Sequence, residues 1–462
     1  MSYKTSAPRL YLKNIKKHSG LGTLTRGKST RETLTHIIPI SKKIGVTRVS
    51  DITQMDRLYI SNYSAILPGT EDSIWVYSGK GITNSGAKAS ALMEAVERYS
   101  SLSTTYARNF IQGSYLELSK SYDNVLHPDE VVEPVNKKYN DKDSIIDFLT
   151  GFDLLNNEMV LVPAELALYR HFPKRPTSRA FSHSHTNGLA SGNVVEEAVC
   201  HALCEVVERD AVSIADLCAS SIPYNILQNI INSLEKAKSE RHSLNICPED
   251  KFVDNPNIFP DVDISEFTEF EPLRRLINKF NDAHIPLMIK DITQKDIGLP
   301  TFVASSIEWI SHDYGYFAKG YGTHPDARIA LIRAITEASQ TRAINIQGAR
   351  DDLKKIRYNG NDEIYKRKWQ FMPSKSMNNH DYVIKFSDIE THTNKDILDD
   401  INLILNNLRN AGLKKAIIVD LTNPDIGIPV VRSIVPGLET FEVNQSIMGA
   451  RAKECFRNVY SC

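Results

Sequence analysis

Apolar positions fall into helical register three times along the chain. In ASALMEAVERYS (Ala89–Ser100), Ala89, Leu92, Met93 and Val96 recur at i, i+3, i+4 and i+7 and predict one buried face. Ser90, Glu94, Glu97 and Arg98 recur at i, i+4, i+7 and i+8 and form a second, polar face. The pattern returns in EEAVCHALCEVVERDA, with Ala198, Ala202 and Val206 on the apolar side and Glu205, Glu208 and Arg209 on the polar one. A third version, ARIALIRAITEASQTRA, sets Ile332, Ile335 and Ala338 against Glu337 and Gln340. A glycine-containing turn precedes each: SGKGIT, TNGLASGN and AKGYGTHP. Gly81 stands 13 residues before Glu94, Gly192 stands 13 before Glu205, and Gly322 stands 15 before Glu337. Asn193 followed by Glu196 predicts a capping box, and Pro325 suits a first helical turn.

A second repeat lies between these helices. DITQMDRLYIS from Asp51, DITQKDIGLPTFVASSI from Asp291 and DLTNPDIGIPVVRSIVPG from Asp420 read as one turn-then-strand unit used three times. HIPLMIK and KKAIIV, just before the second and third copies, read as buried strands. Strands alternating with helices, with internal duplication at irregular spacing, predict a single α+β (mixed α/β) assembly and not a solenoid. Residues 1–60 are expected to form a basic N-terminal segment packing on the core, and 61–462 the main domain. Segments 236–264 and 351–397, rich in charge, Asn and turn residues, are expected to be loops or insertions. The second contains the basic, aromatic stretch YKRKWQFM.

The totals narrow the class. Of 462 residues, 55 are Lys or Arg and 56 are Asp or Glu, a formal charge of −1, which argues against general nucleic-acid or membrane binding. No 18-residue apolar run predicts a membrane span, and MSYKTSAPRLYLKNIKKHSG lacks the apolar centre of a signal peptide. Six cysteines in a chain this long do not make a disulfide framework, so reduced thiols and a cytoplasmic location are expected.

If the three polar helix faces pack together, Glu94, Glu97, Glu205, Glu208 and Glu337 crowd one site, with Glu197 two turns before Glu205. Carboxylates at that density require cations. The set lacks the His and Cys expected for zinc, whereas oxygen ligands select hard cations, and Mg2+ is usually completed by substrate phosphates. A magnesium–nucleotide site follows, with Arg98 and Arg209 as charge partners; the alternative is a bundle of surface ion pairs. GTLTRGKS (Gly22–Ser29) matches the phosphate-loop pattern G-x-x-x-x-G-K-[ST]. Its following helix is plausible from STRETLTHII, but the basic LKNIKKHSGL before it is not strand-like. Arg26, Lys28 and Arg31 remain candidates to reach phosphate from this basic segment. Cys200 and Cys204, four apart, are metal or sulfur candidates weighed against buried structural cysteines. His183 and His185 are ligand candidates weighed against polar loop residues. No G-x-S-x-G elbow or H-E-x-x-H motif is present.

SGKGITNSGAKASALMEAVERYS, TNGLASGNVVEEAVCHALCEVVERDA and GYGTHPDARIALIRAITEASQTRA resemble, in order, the three ATP-site signatures of the YcaO superfamily: S-x-x-x-E-x-x-E-R, N-x-x-x-E with E-x-x-E-R, and E-x-x-Q. VDLTNPDIGIPVVRSIVPGLE is similar to the family's C-terminal region, so the resemblance covers nearly the whole chain. It implies a YcaO-type fold with ATP and Mg2+ as cofactors. Glu94, Glu97, Glu197, Glu205, Glu208 and Glu337 would be metal ligands. Ser90, Arg98, Asn193 and Gln340 would contact nucleotide with Lys28, and Glu205, Glu208 and Arg209 would be catalytic. YcaO enzymes activate a peptide backbone amide with ATP. The ending AKECFRNVYSC lacks the Pro-x-Pro-x-Pro tail frequent in azoline-forming members, and no fused leader-binding domain is evident. The chain is most similar to the stand-alone, TfuA-associated type, including proteins that thioamidate a glycine of methyl-coenzyme M reductase. That implies thioamide formation on a peptide or protein substrate, a sulfide source, a TfuA-like partner and a homodimer. An azoline-forming cyclodehydratase, a non-catalytic nucleotide-binding scaffold and a phosphate-loop NTPase are the alternatives.

Overall fold

The structure is a computed structural model that describes residues 10–20, 24–69, 74–173, 178–181, 184–219, 222–223, 252–253, 259–265, 270–308, 317–348, 369–375, 380–444 and 447–460. Its architecture is α+β and is built on one motif used three times. The first copy runs α1 (Thr30–Lys43), β1 (Arg48–Asp51), β2 (Asn62–Pro68), β3 (Ile74–Lys80) and α2 (Asn84–Ser100). The second runs α4 (Glu271–Asp282), β11 (Met288–Asp291), β12 (Thr301–Ile307), β13 (Phe317–Thr323) and α5 (Ala327–Gln347). The third is split along the chain. Its α6 (Ile397–Asn410), β15 (Ile417–Asp420) and β16 (Val430–Ile434) come last, and its outer strand β7 (Leu189–Ser191) and helix α3 (Val195–Cys218) come far earlier.

The repeated Asp-x-Thr explains the shared turn. Asp51, Asp291 and Asp420 each end a strand and accept, through Oδ1, the backbone N–H of Thr53 (2.9 Å), Thr293 (2.9 Å) and Thr422 (2.8 Å). Each threonine hydroxyl then accepts from the first residue of the next strand: Asn62 N (3.1 Å), Thr301 N (3.0 Å) and Val430 N (3.2 Å). Three residues before that strand the chain is left-handed, at Gly298 (φ 64°) and Gly427 (φ 72°), and at Tyr59 (φ 49°) in the first copy.

The registers also coincide. Asn62 faces Lys80, Thr301 faces Thr323 and Val430 faces Ser191, and each helix starts four residues after the second of these (80 to 84, 323 to 327, 191 to 195). By this alignment the counterpart of Gly81 and Gly192 is His324, 13 residues before Glu337. The sequence reading had paired them with Gly322, which lies inside β13.

The sheets run β1-β2-β3, β13-β12-β11-β10-β14 and β4-β5-β15-β16-β7, with β6 (Glu158–Pro163) on β5. Here β4 is Ile111–Gly113, β5 Ile146–Asp153, β10 Asp261–Asp263 and β14 Val383–Lys385; β8 (Ile222–Pro223) and β9 (Phe252–Val253) pair apart. β3, β7 and β13 are therefore sheet edges. Each motif helix lies on its own sheet and also touches the outer strand of another copy: α2 on β7, α3 on β13 and α5 on β3. The three copies close a ring. Alanine and glycine allow the close packing. A Cβ on Gly79 would sit 2.1 Å from Ala91 N of α2, and one on Gly320 would sit 2.2 Å from Ala338 N of α5. Alanines 330, 334 and 338 are fully buried against β13.

Parts of the expected insertions belong to the core. β10 and β14, within 236–264 and 351–397, pair in parallel at the far edge of the five-stranded sheet. Both are three residues long, too short for periodicity to find; an ion pair from buried Lys290 to Asp261 (2.6 Å) anchors β10. Of YKRKWQFM, residues 365–368 lie outside the described residues, while Trp369 is buried and donates to Asp216 (2.8 Å). No described helix is long and apolar enough to cross a membrane. The chain ends in a further helix, α7 (Ala450–Tyr460).

Candidate active site

Equivalent positions on α2, α3 and α5 line one cavity of about 740 Å3 in layers. Six residues into each helix stand Ser90, His201 and Arg333; ten residues in stand Glu94, Glu205 and Glu337; thirteen in stand Glu97, Glu208 and Gln340. One residue later come Arg98, Arg209 and Thr341. The convergence that spacing alone left open is thus present, with Glu94, Glu97, Glu205, Glu208 and Glu337 on one cavity together with Ser90, Arg98, Asn193, Arg209 and Gln340.

Strand edges and cations hold part of this set. Glu97 accepts from Ser191 N on β7 (3.1 Å), and Gln340 donates to Ser78 O on β3, so two motif side chains satisfy open edges. Arg98 lies 3.4 Å from Glu94 and 3.9 Å from Glu97. Glu337 pairs with Lys80 and accepts from Tyr321 N (3.3 Å). Arg209 reaches Glu442 (3.1 Å), in the short helix Phe441–Asn444. Among the described residues, Glu205 and Glu208 accept no hydrogen bond.

That imbalance shows in the acidities. Burial pushes the Glu97 carboxyl up to about 8, with Glu205 and Glu94 adding to the rise and Arg98 opposing it. Burial and then Glu337 raise Glu208, and burial raises Glu205 against the pull of Arg209, Arg98 and Arg432. Burial also works on Glu337, but Lys80 and Arg209 outweigh it and keep that carboxyl below its usual range. A carboxyl raised on folding contributes stability that is present below its unfolded value of 4.5 and is lost as pH rises through about 8. The metal-free chain is therefore expected to melt at falling temperature as pH climbs across that window, and Mg2+ with ATP to flatten the fall. Thermal unfolding at fixed salt reads both; a melting temperature that rises with pH would contradict the imbalance.

The donor set fits Mg2+ and a nucleotide. Two carboxylates without hydrogen-bond partners offer hard oxygen ligands, and Arg26, Lys80 and Arg333 line the same cavity as phosphate partners. Among the described residues the trio whose ligand atoms come within 4.8 Å of one another is Cys200, His324 and Asp400, not any three of these acids. A cation held by the acids would thus take further oxygens from outside this set. His324 Nδ1 accepts from Asp326 N (2.9 Å), which leaves its proton on Nε2, 3.5 Å from Asp400, and Lys17 already pairs with that carboxylate (2.5 Å).

Several expected residues stand elsewhere. Glu197 is buried beside the cavity, not on it. It accepts from Gly27 N (2.7 Å) and from Asn193 N and Nδ2 (both 2.9 Å), and lies 3.6 Å from Arg26. It thus ties the N-terminal segment to α3. Lys28 is exposed and does not line the cavity; Arg26, two residues earlier, does. The capping box at Asn193 does not form, because Lys13 N takes the Glu196 carboxylate (2.7 Å) and Glu197 reaches back to Asn193 instead. Pro325 precedes the N-cap Asp326. GTLTRGKS leads into α1 through a capping box of Ser29 and Glu32, but no strand precedes it among the described residues. Cys200 and Cys204 are buried off the cavity; His185 stands apart from it, and His183 lies outside the described residues. Sequence reasoning missed Lys80, His201 and Arg333. Lys80 was hidden in a strand, but His201 and Arg333 share the helical phase of Ser90 and were legible by that repeat.

A family described as YcaO cyclodehydratase, ATP- and Mg2+-binding, matches residues 78–439. A Methanothermobacter thermautotrophicus protein described as uncharacterized is 33% identical over 89% of this chain and 94% of its own length. A Rhizobium leguminosarum bv. trifolii protein, described by its place in the tfuA 3' region, is 29% identical over 94% of each. Among solved structures, YcaO from Methanopyrus kandleri bound with AMPPCP and Mg2+ has a TM-score of 0.65 at 20% identity, covering 94% of this chain and 98% of that one. A heterocyclase in complex with substrate and cofactor has a TM-score of 0.69 at 23% identity; this chain spans 55% of its length. At those identities the two structures bear on the fold, while the family match and the methanogen relative bear on kinship. The chain belongs to the YcaO family, and its cofactors are ATP and Mg2+.

Proposed function

We propose that the chain activates a peptide-backbone amide with ATP and converts it to a thioamide, with glycine as the modified residue. The observation that carries the reading is the pair of half-buried Glu205 and buried Glu208, both without hydrogen-bond partners among the described residues and set among cations in one cavity. Bound Mg2+–ATP supplies the phosphoryl group that turns an amide oxygen into a leaving group.

The chain's own residues orient that chemistry. Leu24, Ile82 and Ile329, at the helix N-terminal end of the cavity, would give the adenine an apolar wall. Ser90, Arg26, Lys80 and Arg333, with Asn193 held by Glu197, would bind the phosphates. Glu94, Glu97, Glu205, Glu208 and Glu337 would hold the metal ions, and Arg98, Arg209 and Gln340 would steady those acids and the phosphates. The substrate enters at the third junction, between β3 and α5. There Thr341 stands where the other two helices carry arginine, and Val76 and Ile344 make a neutral, apolar exit that suits an uncharged backbone. Sulfur comes from a sulfide source outside the chain, delivered with a TfuA-like partner; the relative located beside tfuA supports that pairing.

The test is the intact mass of glycine-containing peptides incubated with the chain, Mg2+, ATP and sulfide, with and without a TfuA-like protein. Exchange of one oxygen for sulfur is expected. Loss of one water at Cys, Ser or Thr would instead establish azoline formation. No change, alongside tight Mg2+–ATP binding, would make the chain a nucleotide-binding scaffold.

A further inference from the structure

Arg432 stands on β16, one strand behind the cavity wall, paired in register with Leu189 of β7. It is 3% exposed, yet it touches no carboxylate. Nη1 donates to His185 O (2.9 Å), Nη2 donates to His185 Nδ1 (3.1 Å), and Nε is buried without a partner. His185 donates its Nε2–H to Glu133 (2.6 Å). Because Nδ1 accepts, from Arg432 and from Asn187 N (3.2 Å), the imidazole carries its proton on Nε2 and is neutral.

A buried guanidinium resting on a neutral ring needs anions within its field. Burial works against its charge most; Glu205 and then Glu133 oppose that, and Glu97 adds to them against the push of Arg98. Glu97 is itself tied to Ser191, two residues from Leu189 on the same strand. The chain Glu133, His185, Arg432 therefore ends behind two of the cavity's acids.

We propose that Arg432 is a positioning residue: a fixed counter-charge behind Glu205 and Glu97 that disfavours a bare cation and favours the polyphosphate that accompanies it. This rests on the cavity being the Mg2+–nucleotide site. Unlike Arg98 and Arg209, Arg432 does not line the cavity, so it acts through the acids and not by contact. A unit charge near the acids, at an effective dielectric near 20, shifts ion affinity by at least roughly tenfold, with opposite sign for a cation and a polyanion.

The opposed signs make the test specific. Binding of Mn2+ alone, by electron paramagnetic resonance, and of Mg2+–AMPPCP, by calorimetry, is compared in the whole chain for the wild type, Arg432→Met, Arg432→Lys and Glu133→Gln. Arg432→Met is expected to bind Mn2+ alone several-fold more tightly and Mg2+–AMPPCP about tenfold more weakly. Arg432→Lys should return both towards the wild type, and Glu133→Gln should move both the other way. If both affinities fall together with the melting temperature, Arg432 only supports the fold and the proposal is overturned; unchanged affinities overturn it equally. Should Arg432→Met not fold, an unshifted Glu133→Gln is the overturning result. A wild-type chain that binds neither probe would refute the reading of the cavity, a distinct outcome.

Discussion

Replacing Glu208 by glutamine is expected to abolish Mg2+-dependent ATP hydrolysis and to raise the melting temperature of the metal-free chain. The two effects share one cause. Glu208 is buried on α3, accepts no hydrogen bond among the described residues, and faces Glu337 across the cavity, so its charge is costly until a cation arrives. Glutamine keeps the shape and removes the charge. The metal-free protein should gain up to roughly 1 kcal/mol at neutral pH, because a carboxyl with a raised pKa no longer has to ionise. Loss of a metal ligand should lower turnover by about a hundredfold or more. Glu205→Gln should behave alike, whereas Glu197→Gln should destabilise, since it weakens the hold on Gly27 and Asn193. Hydrolysis that keeps its wild-type Mg2+ dependence in Glu208→Gln would remove the assignment of this acid.

The second large effect is expected far from any charge. Gly320→Ala should cost about 3 kcal/mol or more and weaken nucleotide binding as well. The new methyl group would meet backbone, Ala338 N at 2.2 Å and Ala334 O at 2.4 Å, which cannot swing aside as a flexible side chain would. α5 must move off β13, and Glu337 and Gln340 move with it. Gly298→Ala is the control. Nothing lies within 4 Å of its Cβ position, so only the left-handed backbone (φ 64°) resists, a penalty of about 1 kcal/mol. Thermal melts of the two variants, paired with Mg2+–AMPPCP titration, separate packing from strain. Equal melting temperatures for Gly320→Ala and the wild type would show that the helix–strand contact is looser than described.

Much of this was readable from residues alone, and the limits are physical. Helical spacing fixed the three acid-bearing helices because both faces of each are patterned, and Asp-x-Thr marked three turns because the side chains themselves close them. Spacing could not tell that β16 pairs with β7, since that register joins Val430 to Ser191 across the sequence. The alignment of Gly322 with Gly81 failed because glycine serves two purposes here, a turn in one copy and a helix contact in another. Asn193 looked like a helix cap because its competitor, the backbone of Lys13, is remote in sequence. Lys28 was favoured over Arg26 because the phosphate-loop pattern names the lysine, whereas the fold turns it to solvent.

The division of the third copy has a consequence for synthesis. Its acid-bearing helix is finished 199 residues before the hairpin that completes its sheet (218 to 417), and Glu337, the last of the five acids, precedes that hairpin by 80 residues (337 to 417). A nascent chain stopped at residue 416 carries every glutamate of the site and lacks the strand that fixes β7 and, through Ser191, Glu97. Loop closure over that distance is slow, and it comes last. The strand that holds Glu97 therefore stays without its neighbour until that hairpin has been made.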